Sequence, residues 1–160
     1  MRLLENGYTV KDLGLENING LASLHKSAFA RGWEAHDFAQ FVQDRHMKLL
    51  GAFKNGGRDP SAFLLVRQVE DEAEVISIAV GRSHRRRGLG VGLLDAAIDD
   101  LSESGVKELH LEVDGQNDAA VELYKNMGFE VVGERRAYYP GGHGKAAANA
   151  LMMCLHLDDY

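Results

Sequence analysis

The stretch VISIAVGRSHRRRGLGVGLL, residues 75–94, passes through three kinds of chain in turn. VISIAV has the β-branched and small apolar composition of a strand, GRSHRRR is basic, and Gly88-Leu89-Gly90 opens an amphipathic segment in which Leu94, Ala97, Ile98 and Leu101 recur at i, i+3, i+4 and i+7. The stretch therefore predicts a strand, a glycine turn and a helix packed on a sheet. Glycines at a helix N-terminus let backbone N–H groups approach an anion closely, where the helix dipole also favours negative charge. The same residues also fit a simple tight turn beside a solvated basic loop. No Gly-Lys-Ser/Thr ends the motif, which excludes a P-loop, and Leu93 stands where a dinucleotide fingerprint needs its third glycine. Asp114, at the end of the next strand, lies near where a ribose-binding acid is expected, but 160 residues are too few for two mononucleotide halves.

Upstream, segments 15–29 and 33–47 place apolar residues at helical spacing, so two helices are expected first. MKLLGAF, SAFLLVRQV and AEVISIAV then read as hairpin-connected antiparallel strands, separated by the turn signal KNGGRDP and the acidic turn VEDEAE. Downstream, Gly105 stops the helix, VKELHLEV alternates as a strand, residues 117–127 form a short helix ending at Gly128, and FEVVGER and ANALMMCLHL close the chain as strands. The expected order is ααβββαβαββ, an α/β fold with a mixed central sheet flanked by helices. No repeat or linker divides residues 1–160, so a single domain is expected. YYPGGHGK reads as a loop between the last two strands.

A chain 45% hydrophobic and 26% charged has globular composition, and a net charge of −6 argues against a surface that grips DNA or anionic lipid as a whole. The N-terminal MRLLENGYTV lacks the apolar core of a signal peptide, and the longest apolar run, AFLLV, is too short to span a bilayer. The single cysteine, Cys154, has no intrachain disulfide partner and sits in an apolar strand, which reads as a buried thiol in a reducing cytoplasm. His25, His36, His46, His84, His143 and His156 show no ligand pattern with acids or cysteine, so no metal is expected.

In VKELHLEV a period of two puts Leu109, Leu111 and Val113 on one face and His110 and Glu112 on the other. Glu112 fits either a solvated strand carboxylate or a general base, with His110 as the alternative base. Tyr124 shares a helical face with Ala120, Leu123 and Met127, as a core aromatic whose hydroxyl reaches an edge. Asn117 is an ordinary helix N-cap. Trp33 and Phe38 read as helix core residues.

Arg85-Arg86-Arg87-Gly88-Leu89-Gly90 matches the Arg/Gln-x-x-Gly-x-Gly/Ala signature of the GNAT acyl-CoA N-acetyltransferases, and LEVDGQNDAAVELYKNMGF resembles that family's strand, Asn-capped helix and Tyr-x-x-x-Gly-Phe block. The resemblance covers nearly the whole chain. FARGWEAHDFAQF and RRAYYP further resemble the RimI-type branch, which acetylates the N-terminal alanine of a ribosomal protein, with departures at Asn149 and Asp114. The resemblance implies a GNAT fold and direct acetyl transfer from acetyl-CoA to a protein N-terminus. By the same carry-over Glu112 is the base, Tyr124 protonates the CoA thiolate, and the cofactor lies on Arg85, Arg86, Arg87, Gly88, Leu89, Gly90, Asn117, Tyr124 and the backbone of Ile78, Ala79 and Val80. The early helices and the last loop then flank the acceptor, with Trp33, Tyr138 and Tyr139 as contacts. The rival readings are acetylation of a small amine or a lysine and, from another class, an RNA-phosphate-binding module built on GRSHRRRG.

Overall fold

The structure, a computed structural model, describes residues 1–4, 6–136 and 149–159. Its strands are β1 (Arg2–Leu3), β2 (Tyr8–Asp12), β3 (Met47–Lys54), β4 (Ala62–Val69), β5 (Glu72–Val80), β6 (Glu108–Asp114), β7 (Glu130–Arg136) and β8 (Asn149–His156). Its helices are α1 (Ile18–Ala28), α2 (Ala35–Gln43), α3 (Leu89–Glu103) and α4 (Asp118–Asn126). The strands form one sheet in the order β1-β2-β3-β4-β5-β6-β8-β7, antiparallel throughout except for the parallel pair β5–β6. No helix among the described residues is long and apolar enough to cross a membrane.

The expected order of helices and strands is present, with a short hairpin added before it. Tyr8 and Val10 point inward at period two while Lys11 and Asp12 are exposed, so β2 is an amphipathic strand of only five residues. Asn6-Gly7 makes the turn, with Gly7 at φ 83° and Leu4 N–H bonded to Tyr8 O at 2.9 Å. An Asn-Gly pair before an alternating run is a hairpin signal. Its brevity hid it beside the stronger helical period that follows.

Two cores cover the two faces. On one, α3 buries Leu89, Leu93, Leu94, Ala97, Ile98 and Leu101 against β2 to β5, continuous with Leu109, Leu111, Tyr124 and Phe129. On the other, α1 and α2 bury Leu21, Leu24 and Phe38 against Leu49, Phe53, Phe63, Leu65 and Ala79. Residues 62–66, covered on both faces, are all fully buried, which is why β4 reads as an unbroken apolar run. The second pair of helices stops short of β6, β8 and β7. Among the described residues that part of the sheet face carries Glu112, Glu130, Met152 and His156 in exposed positions.

Candidate active site

The site begins with a defect in pairing. β5 and β6 are bonded only from Glu72↔Glu108 to Glu74↔His110. Beyond that point the β4–β5 register shifts, Leu65 facing Ser77 and Val66 facing Val75, so Ile76 is the extra residue of a bulge. A bulge bends its strand and sharpens the local twist. The bend carries residues 77–80 away from β6 and opens a gap between two parallel strands at their C-terminal ends. Both α3 and α4 start at that same end.

Along the β5 side of the gap, Ala79 is buried toward α1 and α2, whereas Ile78 and Val80 pack partly into the α3 core. Among the described residues no strand lies opposite their backbone groups on the gap side. At the head of α3, Gly88 takes φ 73°, Arg86 φ 63°, and the first intrahelical bond runs from Gly92 N–H to Gly88 O. The N–H groups of Leu89, Gly90 and Val91 are therefore free of helical partners and point out of the first turn. A Cβ on Gly88 would meet nothing within 4 Å, and one on Gly90 only Ile78 Cδ1 at 3.8 Å. This is open space lined by backbone amides, and it fits a phosphate ester. Arg85, Arg86 and Arg87 are exposed around it, while the Leu89 side chain is buried in the core, so only its backbone faces the space.

The N-terminal hairpin braces this loop, a support not anticipated from the sequence. Tyr8, 2% exposed, places its hydroxyl 2.7 Å from His84 Nδ1, and the Asn6 amide donates to Arg87 O. Arg85 Nε reaches Val80 O at 3.4 Å.

Glu112 and Tyr124 lie on opposite faces of the sheet. Glu112 is exposed on the uncovered face, two positions beyond the last β5–β6 pair, and its Oε1 is 2.6 Å from Arg135 Nη2 of β7. The alternation expected for β6 holds, since Leu109 and Leu111 are buried on the other face. Tyr124 lies there, buried at an edge-on contact with Phe129, and burial pushes its phenol pKa above the ordinary 10. A phenol so placed stays protonated and can act as a donor. Asn117 caps α4, its Oδ1 accepting the Ala120 N–H at 3.2 Å, which leaves its side-chain amide N–H groups for a ligand.

His110, the alternative base, is engaged instead by Glu108 Oε2 at 3.0 Å, with Cys154 on the facing strand. Trp33 stacks on the buried His25 at 4.3 Å and meets Phe38 and Phe41 edge-on, so it is part of the aromatic packing beneath α1 and α2. Tyr138 and Tyr139 lie outside the described residues.

The model of the acetyltransferase (GNAT) family matches residues 18–129. The chain belongs to this family. An Escherichia coli K12 enzyme, [ribosomal protein bS18]-alanine N-acetyltransferase, is 34% identical over 92% of this chain and 96% of its own. The crystal structure of the ribosomal-protein-S18-alanine N-acetyltransferase from Escherichia coli superposes with a TM-score of 0.82 at 33% identity, covering 94% of both chains. Arabidopsis thaliana NAA60 in complex with acetyl-CoA has the same fold, with a TM-score of 0.79 at 15% identity, covering 94% of this chain and 99% of its own. The splayed strands and glycine turn are thus those of a GNAT acetyltransferase.

Proposed function

We propose that this acetyltransferase moves an acetyl group from acetyl-CoA directly to the α-amine of a protein N-terminus, alanine of a ribosomal protein being the best-supported acceptor. The observation that carries the reading is the gap between β5 and β6, with amide donors at its end and Glu112 on the strand that borders it. Acetyl-CoA supplies an activated thioester. The backbone amides from Arg86 to Gly90 hold its pyrophosphate, with Arg85 and Arg87 lending charge, and the free edge at Ile78, Ala79 and Val80 receives the extended arm as an added strand. The side-chain amide of Asn117 donates to the same arm.

The acceptor enters from the uncovered face. There Glu112 takes the proton that the ammonium must lose before its nitrogen can bond to the carbonyl carbon. From the opposite face the Tyr124 hydroxyl gives a proton to the departing sulfur as the C–S bond breaks. An α-amine titrates at about 7.7–8.0, whereas lysine at about 10.4 would demand a stronger base than one half-exposed carboxylate. The chain's net charge of −6, with Glu72, Glu74, Glu112 and Glu130 exposed, favours a basic acceptor segment. The 34% identity to the bS18-alanine enzyme supports alanine as the first residue.

Mass spectrometry of alanine-initiated basic peptides, beside N-blocked copies with an internal lysine and beside free small amines, tests the proposal. Acetylation of the free N-termini alone is expected. Modification of blocked peptides, or of small amines only, would replace the acceptor while leaving the family assignment intact.

A further inference from the structure

β6 and β8 pair so that His110 faces Cys154 and Glu108 faces His156. Alternation puts these four on the sheet face that no helix of the described residues covers. Residues far apart in sequence are thereby gathered into one patch: the donor atoms of Glu108, His110 and Cys154 all lie within 4.8 Å of one another. Glu108 Oε2 is 3.0 Å from His110 Nε2, and the other oxygen, Oε1, is 3.8 Å from His156 Nδ1.

We propose that Glu108, His110 and Cys154 form a binding site for a thiophilic divalent cation, zinc by its chemistry, with His156 orienting the ligating carboxylate. Zinc accepts thiolate, imidazole and carboxylate together, whereas magnesium and calcium select oxygen donors. In tetrahedral coordination such donors stand about 3.5 Å apart, so a closure of roughly 1 Å is needed. The half-exposed Glu108 and His110 supply it by side-chain rotation, while Cys154 stays fixed in its strand. Water fills the fourth position from the exposed side. Binding forms the metal–sulfur bond and releases the thiol proton to solvent. The surroundings favour a dication: Glu72 and Glu74 of β5 flank the pair on one side and Glu130 of β7 on the other.

Because the chain has one cysteine, any thiolate signal reports this site alone. The full chain, free of acetyl-CoA, is titrated with Co²⁺ and then Zn²⁺, so the readout does not depend on transferase activity. A sulfur-to-cobalt charge-transfer absorption saturating at one cobalt per chain, displaced by Zn²⁺ and absent in Cys154→Ser, is expected. His110→Ala, a half-exposed change that leaves the core intact, should weaken cobalt binding by more than about tenfold, and His156→Ala by about tenfold. Absence of the band in the wild type, its survival in His110→Ala with unchanged affinity, or equal competition by Mg²⁺ overturns the proposal.

Discussion

The two edges of β5 differ along its length. Toward β4 it is paired from Val69↔Glu72 to Ala62↔Val80, but toward β6 only from Glu72↔Glu108 to Glu74↔His110. The first edge leads into chain buried on both faces, and the second into a gap. Stability and chemistry are thereby divided across one strand, the closed side holding the frame and the open side leaving backbone and titratable groups free. The most severe test of the division is on the closed side. Phe63 is fully buried against Phe38 at 5.7 Å, so Phe63→Ala should lower unfolding free energy by about 3–5 kcal/mol in urea denaturation. A loss below about 1 kcal/mol would mean that the frame lies elsewhere.

The open side should behave in the opposite way. Glu112→Gln is nearly isosteric and breaks only an ion pair between exposed groups, worth about 0–1 kcal/mol, so the melting curve should barely move. Turnover should nevertheless fall by about 10²–10⁴, with acetyl-CoA affinity unchanged. Tyr124→Phe should also reduce turnover at constant affinity. Were either variant to lose affinity and turnover in parallel, its residue would belong to binding and not to proton transfer.

How much of this could be read from the sequence follows the same divide. The closed side was legible because burial on both faces writes itself as AFLLV and a helical face as Leu94, Ala97, Ile98 and Leu101. The alternation that exposes Glu112 and buries Leu111 was equally plain, and the Asn117 cap formed where composition placed it. The gap itself was not legible, because a bulge is a mismatch between two strands and neither Ile76 nor Leu65 signals it alone. Cross-strand partners were invisible for the same reason. Arg135 beside Glu112, and Cys154 beside His110, are consequences of register. The β1–β2 hairpin does carry a local signal, the Asn6-Gly7 turn.

At the mouth of the gap, Gly90→Val separates the anion cradle from the turn that shapes it. Gly90 lies in the first turn of α3 with only Ile78 Cδ1 near its missing Cβ, so a Cβ there enters without a clash. Gly88 would confuse the test, because its φ of 73° costs any other residue about 1–2 kcal/mol. Calorimetric titration of Gly90→Val should show acetyl-CoA affinity reduced by at least about tenfold with the melting temperature retained, the added methyl groups occupying the space that a phosphate needs. Undiminished affinity would place the pyrophosphate away from these amides.

The smallest effect concerns how the closed side responds to pH. His25, 3% exposed, is stacked between Phe29 at 4.4 Å and Trp33 at 4.3 Å, and its Nδ1 accepts the Trp33 N–H at 2.8 Å. Burial pulls its pKa below the ordinary 6.5, with Asp37 acting weakly in the other direction. In the unfolded chain the same imidazole takes up its proton near 6.5, so as pH falls through that value the unfolded state binds more protons than the folded one. The stabilisation is complete above about 6.5 and is lost progressively as pH drops toward the lower folded value. Urea midpoints measured from about pH 7 to about pH 5 should decline in the wild type, and the decline should be shallower in His25→Phe. That variant keeps the stacking but leaves the Trp33 N–H without its acceptor, so its absolute stability is lower and only the slope is diagnostic. An unchanged slope would assign the pH dependence to groups outside this aromatic cluster. A shallower one would tie it to the packing under β5, well away from the carboxylates of the open side.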